Sequence, residues 1–129
     1  MIYEIEGGSK KQQKAIDCAM DFVAPLLNIP GNIFIEIVLM NCVTSGCIDM
    51  EEEDGIHSFL VEINNKQSLE EIVATIFHEL KHVEQTTSKR LDQCRWDGVD
   101  HSNTPYIDQP WEIEAYGFEE ETRRKWSNS

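Results

Sequence analysis

Two histidines four residues apart with a glutamate beside the first, His78-Glu79-Leu80-Lys81-His82, form the densest grouping of chemically useful side chains in this chain. On a helix, residues i and i+4 lie one turn apart on the same face, about 6 Å from one another, so both imidazoles can turn a nitrogen onto one metal ion. Glu79 is too close in sequence to join the same tetrahedron comfortably, yet it is placed to take a proton from a metal-bound water. The spacing predicts zinc chemistry, with two neutral nitrogen ligands and an adjacent base.

That chemistry requires a helix, and the flanking residues supply one. Ser68-Leu69-Glu70-Glu71 reads as a capping box, in which the Ser68 hydroxyl accepts from a free backbone N–H and Glu71 reaches back to the cap. From there Leu69, Ile72, Val73, Ile76, Leu80 and Val83 recur at helical spacing as one apolar stripe. At 100° per residue His78 and His82 fall about 200–240° from Ile76, which predicts a helix that packs by one face and offers its histidines to a cleft with the other.

Two histidines are one ligand short of a catalytic zinc site. A third histidine six residues past His82 is excluded, because Gln85 and Ser88 stand where that longer motif needs Gly and His. His101, Asp97, Asp100 and Asp108 remain open by position. A second helix opening at Pro110 carries Glu112 and Glu114, either of which could complete a two-histidine, one-glutamate set, and Ala115 and Gly117 are small enough to let two helices approach closely. Glu112 and Glu114 lie about 200° apart on that helix, so only one can face the ion. Tyr106 and His101, in the preceding loop, are candidate donors to the oxyanion of a tetrahedral intermediate.

His78-Glu79-x-x-His82 followed thirty residues later by Glu112-x-x-Ala115 resembles the gluzincin branch of zinc peptidases, in which a Glu-x-x-Ala segment supplies the third ligand. With Trp96-x-Gly98, Tyr106-x-x-x-Pro110 and Trp111-Glu112-Ile113-Glu114-Ala115-Tyr116, the pattern is similar to small metallopeptidases encoded in phage and bacterial genomes. The resemblance covers roughly residues 59–118. It implies a minimal zincin-like fold, Zn²⁺ held by His78, His82 and Glu112, Glu79 as general base, Glu114 left for a supporting or surface contact, and a peptide or protein as substrate. Tyr116 stands where larger relatives often place an Asp or Asn that braces a ligand histidine. A metal-binding interaction or regulatory module without turnover is the alternative.

The bulk numbers are compatible with this. A chain of 129 residues, 40% hydrophobic and 27% charged, makes one globular domain with a real core. A net charge of −13 argues against nucleic acid as a partner and favours a weakly basic substrate. No apolar run is long enough to span a bilayer, and the start Met1-Ile2-Tyr3-Glu4-Ile5-Glu6 does not read as a secretory signal, so a cytoplasmic protein (in a host cytoplasm if phage-encoded) is expected without a membrane partner. Cys18, Cys42, Cys47 and Cys94 are then expected as reduced thiols, although Cys42 and Cys47 could clip the short loop between them. The acidic runs at 51–54 and 119–121 read as solvated loop or helix faces. Nothing in the sequence fixes the oligomeric state.

Along the chain, the pattern predicts a strand at 2–6 and a helix capped by Ser9 that runs to about Leu27 with Pro25 limiting its last turn. Strands follow at 33–40 and 57–64, with a loop or loose hairpin over 41–55. Residues 86–109 show no sustained period, and the last helix runs from Pro110 to about Lys125. This is an α+β order with a small sheet. The strand at Phe59 to Ile63, just before the motif helix, is the candidate edge for an extended peptide substrate.

Overall fold

The computed structural model describes residues 1–42 and 44–129. Strand β1 (Ile2–Glu6) leads through Gly7 and Gly8, both at positive φ, into helix α1 (Lys10–Val23). A Cβ at Gly7 would lie 2.5 Å from the Leu39 carbonyl oxygen, so the turn passes too close to the neighbouring strand for any other residue. Ser9 caps α1 in a full capping box, with Gln12 as the reciprocal partner. The α-helix ends earlier than expected. Pro25 cannot supply an N–H to continue it, and residues Ala24–Leu26 tighten into a single 3-10 turn.

Strand β2 (Ile33–Met40) returns parallel to β1, and β4 (Ile56–Asn64) pairs parallel with β2 on its other side. Between them in sequence, β3 (Gly46–Glu53) forms an antiparallel hairpin with β4, giving a four-stranded sheet in the order β1-β2-β4-β3. The segment 41–55 is therefore largely strand. Its acidic residues resemble those of a solvated loop, whereas they lie along a mostly exposed edge. The pairing also corrects the expectation for Phe59 to Ile63: β4 is flanked on both sides, its main-chain groups are used by β2 and β3, and the edges are β1 and β3.

One face of the sheet is covered by helices. Ile33, Ile35, Ile37 and Leu39 of β2 and Phe59, Val61 and Ile63 of β4 alternate onto it and meet Ile16, Met20 and Val23 of α1. The motif helix α2 (Leu69–Thr87) packs on the same core through Ile72, Ile76, Phe77, Leu80 and Val83. Its predicted capping box is formed, with the Ser68 hydroxyl accepting from the Glu71 N–H and Glu71 accepting from Ser68. Leu69 drops out of the stripe, because at the first position of the helix it remains 43% exposed.

After α2 the chain is more ordered than its lack of period suggests. Strands β5 (Leu91–Asp92), β6 (Arg95–Trp96) and β7 (Val99–Asp100) form a small antiparallel meander, followed by a 3-10 turn at Tyr106–Asp108. Two-residue strands carry no readable alternation. Helix α3 (Pro110–Ser127) then lies along α2, its far end fixed by Trp126 packed edge-on against Phe22 and Phe77. Ala115 is fully buried. Gly117 is not part of the close approach, since a Cβ there would meet nothing within 4 Å. The result is a small α+β domain with three helices.

Candidate metal centre

Helices α2 and α3 bring together the residues singled out by their spacing. His78 is 7% exposed and Glu79 5%, while His82 is partly buried. The Nε2 atoms of His78 and His82 are 3.2 Å apart, and Glu112 Oε1 lies 3.0 Å from each. Glu79 stands one step back, with Oε1 4.0 Å from His78 Nε2, and its Oε2 is buried without a partner among the described residues. His78, Glu79 and His82 form a group that could hold a metal ion.

The protonation of His82 follows from its neighbour. Gln85 is fully buried, and its Nε2 donates to the Trp111 carbonyl at 3.0 Å and to Glu114 Oε1 at 3.2 Å. Both are acceptors, so the amide orientation is fixed and Gln85 Oε1 must be the atom 2.8 Å from His82 Nδ1. Nδ1 therefore carries a proton, and the lone pair of Nε2 faces Glu112. On the other ring, His78 Nδ1 lies 3.2 Å from Glu119 Oε1 without an aligned hydrogen bond, and the Tyr116 ring packs edge-on at 4.4 Å. Glu119 is thus the carboxylate nearest His78 Nδ1, on the ring edge away from Glu112.

Three atoms with lone pairs held 3.0–3.2 Å apart repel one another unless a cation lies between them. Without a metal that cation is a proton. Burial works to lower the pKa of His78, but Glu112, Glu119 and Glu79 together outweigh it and raise the group to about 9. His82 is raised too, against burial, chiefly by Glu112. Burial likewise pushes the Glu112 carboxyl up, yet the two imidazoles overcome it and hold the group at about 2. Glu79 moves the other way, its pKa raised by burial and by the nearby carboxylates despite the two histidines. The environments separate the two glutamates, one held as an anion by the imidazoles and the other pushed toward its neutral form by burial.

Glu114 faces away from the histidines. It pairs with Arg90 through both carboxylate oxygens and accepts from Gln85, so it steadies the residue that orients His82. Of the candidate oxyanion donors, the structure brings Tyr106 to the centre: its hydroxyl is 3.0 Å from that of Tyr116, and it lines the same cavity as His78 and Glu79. His101 is engaged elsewhere, with Nδ1 3.0 Å from the Thr104 hydroxyl and its ring against Trp111. All four cysteines are free, so the Cys42–Cys47 clip is not formed.

Spacing alone does not point to Gln85 or Glu119. Gln85 sits three residues past His82, one turn on, and an amide there is the one local signal of a bracing position. Replacing Gln85 with Met should weaken metal binding about 10- to 100-fold, the usual effect of losing such a partner. It should also destabilise the fold by about 1–3 kcal/mol through the Trp111 carbonyl left unpaired. Competition with a chromophoric chelator checks the first effect and urea unfolding the second; unchanged affinity would show that His82 needs no brace.

Residues of the centre line two cavities. One, of about 740 Å³, is lined by His82 and Glu112 together with Phe59, Trp111 and the bulged part of β3. The other, of about 420 Å³, is lined by His78, Glu79, Tyr106 and Tyr116. A linear ligand crossing the centre would occupy both. No protein-family model matches the chain, and no curated protein and no solved structure matches it either.

Proposed function

We propose that this protein is a zinc-dependent peptidase with a minimal zincin-like architecture. The observation that carries the reading is the buried Glu79 Oε2, without a partner among the described residues, beside three converging lone pairs. Four ligand atoms arranged tetrahedrally at 2.0–2.1 Å from an ion are about 3.3 Å from one another, close to the spacing of the two Nε2 atoms and Glu112 Oε1. His78, His82 and Glu112 would hold the ion, and the nitrogen-rich, borderline-soft donor set suits zinc rather than magnesium or calcium. When bound, zinc lowers the pKa of a water to about 7 and polarises a carbonyl.

The chain's own residues do the rest. Glu79 Oε2 accepts a proton from the attacking water and passes it to the leaving amine, the task its raised pKa suits. The Tyr106 hydroxyl, oriented by Tyr116, donates to the oxyanion of the tetrahedral intermediate. Strand β3 is a free edge for an extended substrate, since its outer main-chain groups have no strand partner among the described residues. The three parallel strands with an antiparallel edge, followed by the motif helix, support the zincin-like reading. A peptide or protein is the substrate, with no role for nucleic acid. Among the described residues no helix is long and apolar enough to cross a membrane.

Elemental analysis of the purified protein and a peptide-cleavage screen test this directly. Stoichiometric zinc with hydrolysis is the expected result; zinc without hydrolysis of any peptide would favour a metal-binding module.

Protons and metal compete for the same lone pairs, which gives a pH signature. In the metal-free protein, His78 has its pKa raised from 6.5 to about 9, so its contribution to stability is full below pH 6.5 and is lost as pH rises through 9. Glu112, lowered from 4.5 to about 2, contributes above pH 4.5 and loses that contribution as pH falls toward 2. Zinc binding at pH 7 must therefore expel at least about one proton per ion, and affinity should climb with pH toward 9. Calorimetric titration in two buffers of different ionisation enthalpy measures the release; none at pH 7 would mean the imidazoles are already neutral.

A further inference from the structure

The larger cavity has the chemistry of a pocket for a cationic side chain. Its apolar floor is made by Phe59, Leu91 and Trp111, and its lining carries Asp49, Glu51 and Asp92 against one lysine, Lys89, and the imidazoles of His57 and His82. All three acids are exposed at the mouth, and the backbone of β3 sets two of them side by side. The pairing of β3 with β4 shifts register between Asp49 and Glu52, and Glu51 sits at φ 69°, with its N–H donating to Asp49 Oδ1 at 2.8 Å. Part of the Asp49 charge is met by His57 Nε2 at 2.6 Å, whereas the side chains of Glu51 and Asp92 form no ion pair among the described residues. A long aliphatic stem ending in a positive head fits such a surface, the stem on the aromatic floor and the head among the acids.

The position of this cavity gives its charge a purpose. It is lined by His82 and Glu112 of the centre itself, while Glu79, whose buried Oε2 has no partner among the described residues, lines the second cavity on the other side of the same histidine pair. We propose that the cavity is the specificity pocket of the cleft and selects a peptide carrying Lys or Arg next to the bond held at the metal centre. The inference rests on the peptidase reading for the identity of that bond, while the cation preference of the cavity stands by itself. A free α-amino group is the other source of a peptide cation, but a space of about 740 Å³ takes a whole side chain.

The test uses the zinc-loaded protein and peptides that differ at one position, Arg, Lys, norleucine or Glu, each with a free or an acetylated N-terminus. Cleavage of the Arg and Lys peptides should exceed that of the norleucine peptide by about tenfold in kcat/KM, because partly exposed charge pairs are individually weak and three must act together. The preference should survive acetylation and shrink at high salt. Glu51→Gln with Asp92→Asn, two exposed positions, should bring the ratio close to one while the norleucine peptide is still cut; Asp49→Asn adds to the effect. Neutralising Glu4, Glu36 and Glu120 removes as much charge from other faces and should leave the ratio intact.

Binding of the same peptides to the Glu79→Gln protein, read by fluorescence anisotropy, separates the two readings. Basic-peptide binding that depends on Glu51 and Asp92 without cleavage by the native protein would overturn the peptidase and keep the pocket. Cleavage without a basic preference, a preference lost on acetylation, or one lowered equally by the distant substitutions would overturn the pocket and keep the peptidase.

Discussion

Glu79→Gln is expected to keep zinc at full stoichiometry and to lose hydrolysis by a factor of about 10³ or more. The change is nearly isosteric and removes only the proton-accepting oxygen. Glu79 stands farther from the two Nε2 atoms than Glu112 does, its Oε1 4.0 Å from His78 Nε2 against 3.0 Å for Glu112 Oε1, so the proposed ligand set does not need it. Its Oε2 has no partner among the described residues to lose, so the fold should tolerate the amide. Metal content by elemental analysis and turnover on a cleaved peptide are the two readouts. Loss of zinc from this variant would make Glu79 a ligand, and full activity would place the base elsewhere. Retained zinc with lost turnover would also exclude the non-catalytic module.

The second large effect separates two glutamates on one helix. Glu112→Ala should lower zinc affinity by about 10³ or more, because a two-histidine remnant cannot close a three-ligand set. Glu114→Ala should keep the metal, with a loss of no more than about tenfold to 100-fold through loosening of Gln85 and Arg90. Its Arg90 contact is about a third exposed to solvent and adds little by itself. Chelator competition on both variants measures the contrast. The reverse order, with Glu114→Ala losing the metal, would overturn the assignment of Glu112.

Much of this centre is legible in the chain, and the reason is periodicity. The residues that meet at the centre lie on two helices, where 100° per residue fixes which side chains share a face, so His78, His82 and the contrast between Glu112 and Glu114 follow from spacing alone. The caps at Ser9 and Ser68 are local chemistry and are legible for the same reason. Strand order is not. Whether β4 lies at an edge or inside depends on β3, and an alternating run reads alike in both places. Gly117 misleads, since a small residue marks close packing only if the facing element is there. The contacts of Gln85 and Glu119 are tertiary and depend on the crossing of α2 and α3. Nor does the sequence show that Glu51 lines a cavity, because its acidic run resembles any solvated loop.

The docking of α3 along α2 also bears on the order in which the molecule becomes competent. Sheet, α1 and α2 all lie within the first ninety or so residues, and Phe77 and Leu80 belong to the core they share. At that stage the His78-Glu79-Leu80-Lys81-His82 segment is folded but inert, because Glu112, the carbonyl of Trp111 that orients Gln85, and the Glu119 carboxylate all arrive with α3. During vectorial synthesis, in which the earlier elements emerge first, the chain carries a complete scaffold before it has a reactive centre. On the proposed peptidase reading, a nascent chain in that state could not cut its neighbours, and the last helix would be the arming step.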